Sequence, residues 1–256
     1  MSPWEAAAIF GAGIVAGTIN TVVGSGTLFT FPVLLAFGYP PVVANVSNTV
    51  GLVPGSASGA LGYRRELAGQ GRRLGRLAVA SFTGGVIGAV LLLSLPASAF
   101  TAIVPVFIAL ALVLIVTQPR ISAWLGARRT AAGDGHRARE LAGPAATAAV
   151  LVGGIYGGYF GAAQGIMLLA ILSLSIDDTL QRLNAIKVVL TGLVNLVSGV
   201  IFVVVAHIAW APAGLIAAGS VLGGVLGAHV GRRLPPTALR AVIVVVGIAA
   251  IVHLLA

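Results

Sequence analysis

The chain has 256 residues, of which 58% are hydrophobic and only 8% charged, with a mean hydropathy of +1.07 and a formal charge of +9. Soluble domains carry about 25% charged residues, so this composition excludes a water-covered globule. The absence of cysteine excludes disulfides, thiol chemistry and cysteine metal sites, and with no soluble domain to carry the basic excess a nucleic-acid partner is not expected.

The chain opens Met1-Ser2-Pro3-Trp4-Glu5 without a basic leader region, so the first apolar run, 5–23, is expected to stay as a membrane segment. Further runs follow at 27–38, 42–62, 76–94 and 98–117, then at 141–161, 164–176, 183–206, 211–230 and 237–255. Most reach the 17–25 or so residues needed to cross about 30 Å of hydrocarbon. The predicted fold is therefore an all-α integral membrane protein of about ten hydrophobic segments, with a lipid bilayer as its surroundings. A polar, Arg-rich linker at 118–140 divides it into a first transmembrane repeat, 1–117, and a second, 141–256.

Arginines fix the orientation. Arg64, Arg65, Arg72, Arg73 and Arg76 form one cluster, and Arg120, Arg128, Arg129, Arg137 and Arg139 another, which makes both loops cytoplasmic. Alternation from there puts Arg182, Arg232, Arg233 and Arg240 inside and both termini outside. Five segments per half require the second repeat to be inverted relative to the first. Internal similarity supports this: Gly13 and Gly17 lead to Gly24 as Gly154 and Gly158 lead to Gly165, Asn45 and Asn48 align with Asn184 and Lys187, and Ser58-Gly59 aligns with Ser198-Gly199.

Segments 27–38 and 164–176 are only about 16–20 Å long as helices, too short to cross unaided. Each follows a Gly-rich break, Gly24-Ser25-Gly26 in the first half and Gly161 through Gly165 in the second. Each half is thus expected to contain a Gly-broken helical hairpin, the two tips meeting near the bilayer midplane. A helix that starts there presents unpaired N–H groups and a positive dipole end to an anion, and such breaks at matching positions point to a transporter's binding site. The competing reading is that these glycines only allow close helix packing.

Lys187 is the one charged side chain placed clearly within a spanning segment. It either lines the pathway or snorkels to the interface. Asn184, Lys187, Thr191, Asn195 and Ser198 share a helix face, as do Asn45, Asn48, Ser56 and Gly59; each Asn is equally at home as interhelical glue. The candidate substrate-binding residues are Asn20, Gly24, Ser25, Gly26, Thr27, Asn45, Asn48, Gly161, Gln164, Gly165, Asn184 and Lys187. Ser25 as an intramembrane nucleophile lacks the fuller motif, and no cofactor, metal or catalytic set is expected. With no carboxylate at the tips, a cation carrier is disfavoured; an anion channel or an assembly factor stays open, as does a homodimer.

At these residues the sequence resembles the TauE/SafE family of sulfite and organosulfonate exporters. The resemblance rests on Ala16 through Gly26 (AGTINTVVGSG), Phe31-Pro32, Ala44-Asn45 with Asn48-Thr49, and Gly59 through Arg65. In the second half it rests on Gly153 through Gly161 (GGIYGGYFG), Gln164-Gly165 and Asn184-Ala185-Ile186-Lys187. It departs at Ser25-Gly26-Thr27, where many members carry consecutive glycines. The resemblance implies export of a small sulfur-containing oxyanion, sulfite or an organosulfonate such as sulfoacetate, across the cytoplasmic membrane.

Overall fold

A computed structural model describes residues 1–131 and 143–230, together with 244, 245, 248, 251 and 252. Among the described residues the regular structure is helical: α1 (Pro3–Val22), α2 (Thr27–Ala36), α3 (Pro41–Gly62), α4 (Arg64–Leu67), α5 (Gly71–Ser94), α6 (Ala97–Ala131), α7 (Pro144–Tyr159), α8 (Gln164–Ser175), α9 (Leu180–Val205) and α10 (Trp210–Val230). The expected tenth segment, 237–255, lies largely outside the described residues. So does the linker beyond Ala131.

Local chemistry sets the helix starts. Ser2 accepts from the Glu5 N–H while Glu5 reaches back to the Ser2 N–H, a capping box with Pro3 in the first helical turn. Thr179 caps α9 through the Arg182 N–H. Two departures from the sequence reading concern helix length. Helix α6 runs on through Ala131, into the stretch expected to be linker, because Arg, Ala and Leu are good helix formers that need no apolar solvent. For the same reason α5 begins at Gly71 rather than at Arg76, and the short α4 fills part of the Arg-rich loop before it.

Five described helices are long and apolar enough to cross a membrane: Pro3–Val22, Gly71–Ser94, Ala97–Thr117, Leu180–Val205 and Trp210–His229. Helices α2 and α8 are short, at 10 and 12 residues. Helix α3 is long enough to span but carries Asn45, Ser47, Asn48, Thr49 and Ser56, all buried. Its polarity faces protein rather than lipid. The chain is a multi-pass membrane protein.

Helix pairing follows a reciprocal scheme. Helix α10 packs along α1 and α3, while α5 packs along α7 and α9; α3 and α9 meet each other between these groups. The two tightest seams are made of small residues. A Cβ added at Gly17 would come within 2.8 Å of the Ser220 Cα on α10, and one at Gly88 within 2.8 Å of the Tyr159 nitrogen that ends α7. Such backbone proximity replaces the hydrophobic driving force that is missing in lipid. Serine hydroxyls then bridge to carbonyls of the facing helix: Ser220 to Gly51 at 2.9 Å, Ser58 to Val221 at 3.1 Å, Ser81 to Leu190 at 3.2 Å and Ser198 to Gly85 at 3.3 Å.

At one end of the bundle Asp178 joins two loops. It pairs with Arg73 at 2.8 Å and with Arg182 at 3.0 Å, while Arg182 also donates to the Ala68 carbonyl at 3.2 Å. The Arg-rich α4–α5 loop of the first half and the α8–α9 connection of the second therefore share one end. Partial burial by itself would raise the Asp178 carboxyl, but the Thr179 N–H and the two guanidiniums outweigh it and hold the pKa below the ordinary carboxylate value.

Candidate functional site

Two breaks bring the site together. Helix α1 stops at Val22, and Gly24 takes φ 91°, a left-handed conformation that suits glycine. The second break holds Gly161 at φ 77° and Ala163 at φ 60°, the latter a strained position for a residue with a side chain. The tips touch. Gly165 donates its N–H to the Gly24 carbonyl at 3.0 Å, and a Cβ on Gly24 would come within 2.5 Å of the Gly165 Cα and 3.2 Å of Lys187 Cδ. One of the first donors of α8 is thus taken by the opposite tip and is not open to an anion in this arrangement.

Lys187 is wholly buried, which overturns the snorkelling reading. Its ammonium donates to the carbonyls of Asn20 at 3.2 Å and Thr21 at 3.3 Å, and Asn184 Nδ2 adds a bond to the Thr21 carbonyl at 3.2 Å. These are last-turn acceptors of α1, where a cation complements the negative dipole end. Lys187 and Asn184 therefore finish a broken helix from the other half of the chain. Two of the three ammonium donors are engaged in this way.

The asparagines of α3 divide their work. Asn48 accepts from the Thr30 hydroxyl and donates to Thr27 Oγ1 at 3.2 Å, tying α2 to α3. Both ends of its amide are engaged as interhelical glue. Asn45 Nδ2 donates to the Tyr159 carbonyl at 3.0 Å, just before the second tip, while its Oδ1 is buried without a partner. Asn20 is half-buried and reaches Ser56 Oγ at 3.4 Å. Ser25 and Gln164 are 1% and 2% exposed, yet Ser25 Oγ and Gln164 Nε2 have no hydrogen-bond partner. Among the described residues no general base contacts the Ser25 hydroxyl. Gly26 lies against Ala16 and Asn20 of α1, which leaves room for hydrogen only at its Cα.

The polar face expected along α9 splits. Asn184 and Lys187 turn to α1, Thr191 bonds back to the Lys187 carbonyl at 2.9 Å, and Ser198 turns to α5. Tyr156, Phe160 and Phe31 stood in the motifs that carry the family resemblance, but nothing in the sequence assigned them a role at the second tip. The Tyr156 hydroxyl donates to the Ala162 carbonyl within the turn. Phe31 of α2 meets Phe160 edge-on at 5.2 Å, and Phe100 of α6 lies 5.9 Å from Phe160. Aromatics scattered over three helices give no spacing signal, so only the contact reveals them. Among the described residues no group of three or more His, Asp or Glu converges on a metal-sized site.

A bundle of spanning helices with two helix breaks meeting inside it and a buried polar set around them defines a membrane transporter. The family model described as "Sulfite exporter TauE/SafE" matches residues 9–254, so the chain belongs to the TauE/SafE family. A "Probable membrane transporter protein" of Haemophilus influenzae is 30% identical over 243 residues, covering 93% of this chain and 90% of that protein. The "Probable membrane transporter protein YfcA" of Escherichia coli K12 is 26% identical over 249 residues, 96% of this chain and 88% of its own. No solved structure matches the chain.

Proposed function

We propose that this protein exports a small sulfur-containing oxyanion, sulfite or an organosulfonate, across the cytoplasmic membrane by alternating access, and that it is not an enzyme. The observation that carries this reading is the contact of the two hairpin tips at Gly24 and Gly165, flanked by Ser25, Asn45, Gln164 and Asn184, whose buried polar atoms lack partners. Buried polar groups without partners are rare and call for a functional account. The sign of the substrate follows from Lys187 and the absence of any carboxylate from α2, α3, α7, α8 and α9.

The same reading divides the chain into a first repeat at 1–117, a connecting stretch at 118–140 and an inverted second repeat at 141–256. Reciprocal packing supports it: α1 lies on α10 as α7 lies on α5, and α3 lies on α10 as α9 lies on α5. Passage requires Gly24 and Gly165 to part, with one group of helices moving against the other. With about 100 mV inside negative, outward movement of one negative charge yields about 2.3 kcal/mol, so no coupling ion is required.

Flux of sulfite, organosulfonates and sulfate through proteoliposomes tests the proposal. Transport of sulfite or a sulfonate, inhibited by excess unlabelled anion, is expected. Saturable transport of none of them, by protein shown to be folded and inserted, overturns it.

A further inference from the structure

We infer that the ion held between the tips is a singly protonated oxyanion, which offers one O–H donor along with its acceptor oxygens; this rests on the anion-transport reading above. A fully ionised oxyanion presents acceptors alone and needs only donors around it. The surroundings of the tips hold unpaired groups of both kinds.

Ser25 and Gln164 stand on either side of the Gly24–Gly165 contact, one from each hairpin, and the Ser25 hydroxyl and one end of the Gln164 amide are buried there without partners, each able to donate to an oxyanion. Asn45 is tied to the second tip by its Nδ2, which donates to the Tyr159 carbonyl at 3.0 Å, and this leaves Oδ1 buried as an acceptor without a donor. Asn184 repeats the arrangement at the first tip: Nδ2 donates to the Thr21 carbonyl at 3.2 Å, and Oδ1 is buried and unpartnered. In both amides the bond to a carbonyl fixes which end is nitrogen. Asn45 cannot turn to offer a donor without abandoning the Tyr159 carbonyl, and a turn of Asn184 would leave the Thr21 carbonyl to Lys187 alone. A bare anion against either oxygen meets a like partial charge, whereas an O–H completes it.

The charge balance agrees. Across α1, α2, α3, α7, α8 and α9 the ionisable side chains are Glu5, Tyr156, Tyr159, Arg182 and Lys187. Glu5 and Arg182 lie in the first turns of their helices, the Tyr156 hydroxyl is committed to Ala162, and the Tyr159 hydroxyl is a further buried group without a partner. Lys187 is the one basic side chain among them that is wholly buried, and it offsets at most one negative charge. Sulfite retains a proton near neutral pH, while sulfonates are strong acids and retain none. The arrangement therefore selects the hydrogen form of sulfite over a sulfonate of equal charge.

Calorimetric titration of the purified full-length protein with sulfite, under conditions where most free sulfite is doubly ionised and in buffers of different ionisation enthalpy, counts the protons taken up on binding. Methanesulfonate, a monoanion with three acceptor oxygens, a methyl group and no O–H, is the second ligand. Uptake of about one proton per sulfite is expected, with methanesulfonate bound at least about tenfold more weakly, because a site built for a hydroxyl rejects the analogue lacking it. Sulfite binding without proton uptake, or equal affinity for methanesulfonate, overturns the inference and leaves anion transport standing. Failure of sulfite, methanesulfonate and sulfate alike to bind or to cross the proteoliposome membrane overturns the transport reading and this inference together.

Discussion

Gly165 and Gly24, one at the start of α8 and the other just past the end of α1, are joined by a backbone hydrogen bond of 3.0 Å. No side chain intervenes. Each residue of the pair occupies the space where the other's Cβ would stand.

Gly24→Ala is expected to separate the tips, since its Cβ would meet Gly165 and its φ of 91° disfavours any other residue. Flux should fall at least about tenfold, the equivalent of about 1.4 kcal/mol. Gly214→Ala, where nothing lies within 4 Å, is the control and should keep wild-type flux. Gly88 does not serve as a control, because a Cβ there would clash with the end of α7. Equal flux in the Gly24 and Gly214 variants would remove the tips from the pathway.

Lys187→Met leaves the Asn20 and Thr21 carbonyls short of a buried donor. A loss of about 1–3 kcal/mol is expected for an unsatisfied group of this kind, seen as a lower melting temperature in detergent together with reduced flux. If the melting temperature is unchanged, the carbonyls of α1 have other partners and the helix-end role fails.

Asp178 has its pKa lowered in the folded protein, so its pairs with Arg73 and Arg182 contribute stability that is present above the unfolded carboxylate pKa and is lost as pH falls through the folded value. Asp178→Asn should therefore melt below the wild type at neutral pH, and the gap should close in acid. A gap that is constant across that range would show that charge is not its source.

The chain contains no cysteine, so single introduced cysteines report sidedness directly. Ser2→Cys and Ala97→Cys should react with an impermeant thiol reagent on intact cells, and Arg72→Cys only after permeabilisation; all three positions are exposed. Reaction at Arg72 without permeabilisation would reverse the orientation drawn from the arginines.

Nine of the ten expected runs, the two undersized hairpin arms among them, were legible because length and apolarity are local properties: α2 and α8 appear where the short runs at 27–38 and 164–176 predicted them. The role of Lys187 was not. A buried lysine reads from sequence as a charge seeking a ligand, and only the fold shows that two carbonyls of α1 already claim it. Asn48 looked like Asn45 in the sequence, yet one is engaged at both ends by Thr27 and Thr30 while the other keeps an open oxygen. Tyr156 and Phe160, which fasten the second tip, follow no periodic pattern, and their role there emerged only with the contacts.

Lys187 closes the end of α1 from 166 positions further along the chain. During synthesis α1 and α2 leave the ribosome long before α9 exists, and lipid supplies no partner for a bare carbonyl. The first hairpin therefore cannot reach its final depth as it is inserted. It must wait, either shallow at the headgroups or shielded by the insertion machinery, until the ninth helix brings the ammonium to it. Truncation before α9 should accordingly yield a first half that is membrane-bound but unfinished, and a quality-control system could recognise it by those unclaimed carbonyls.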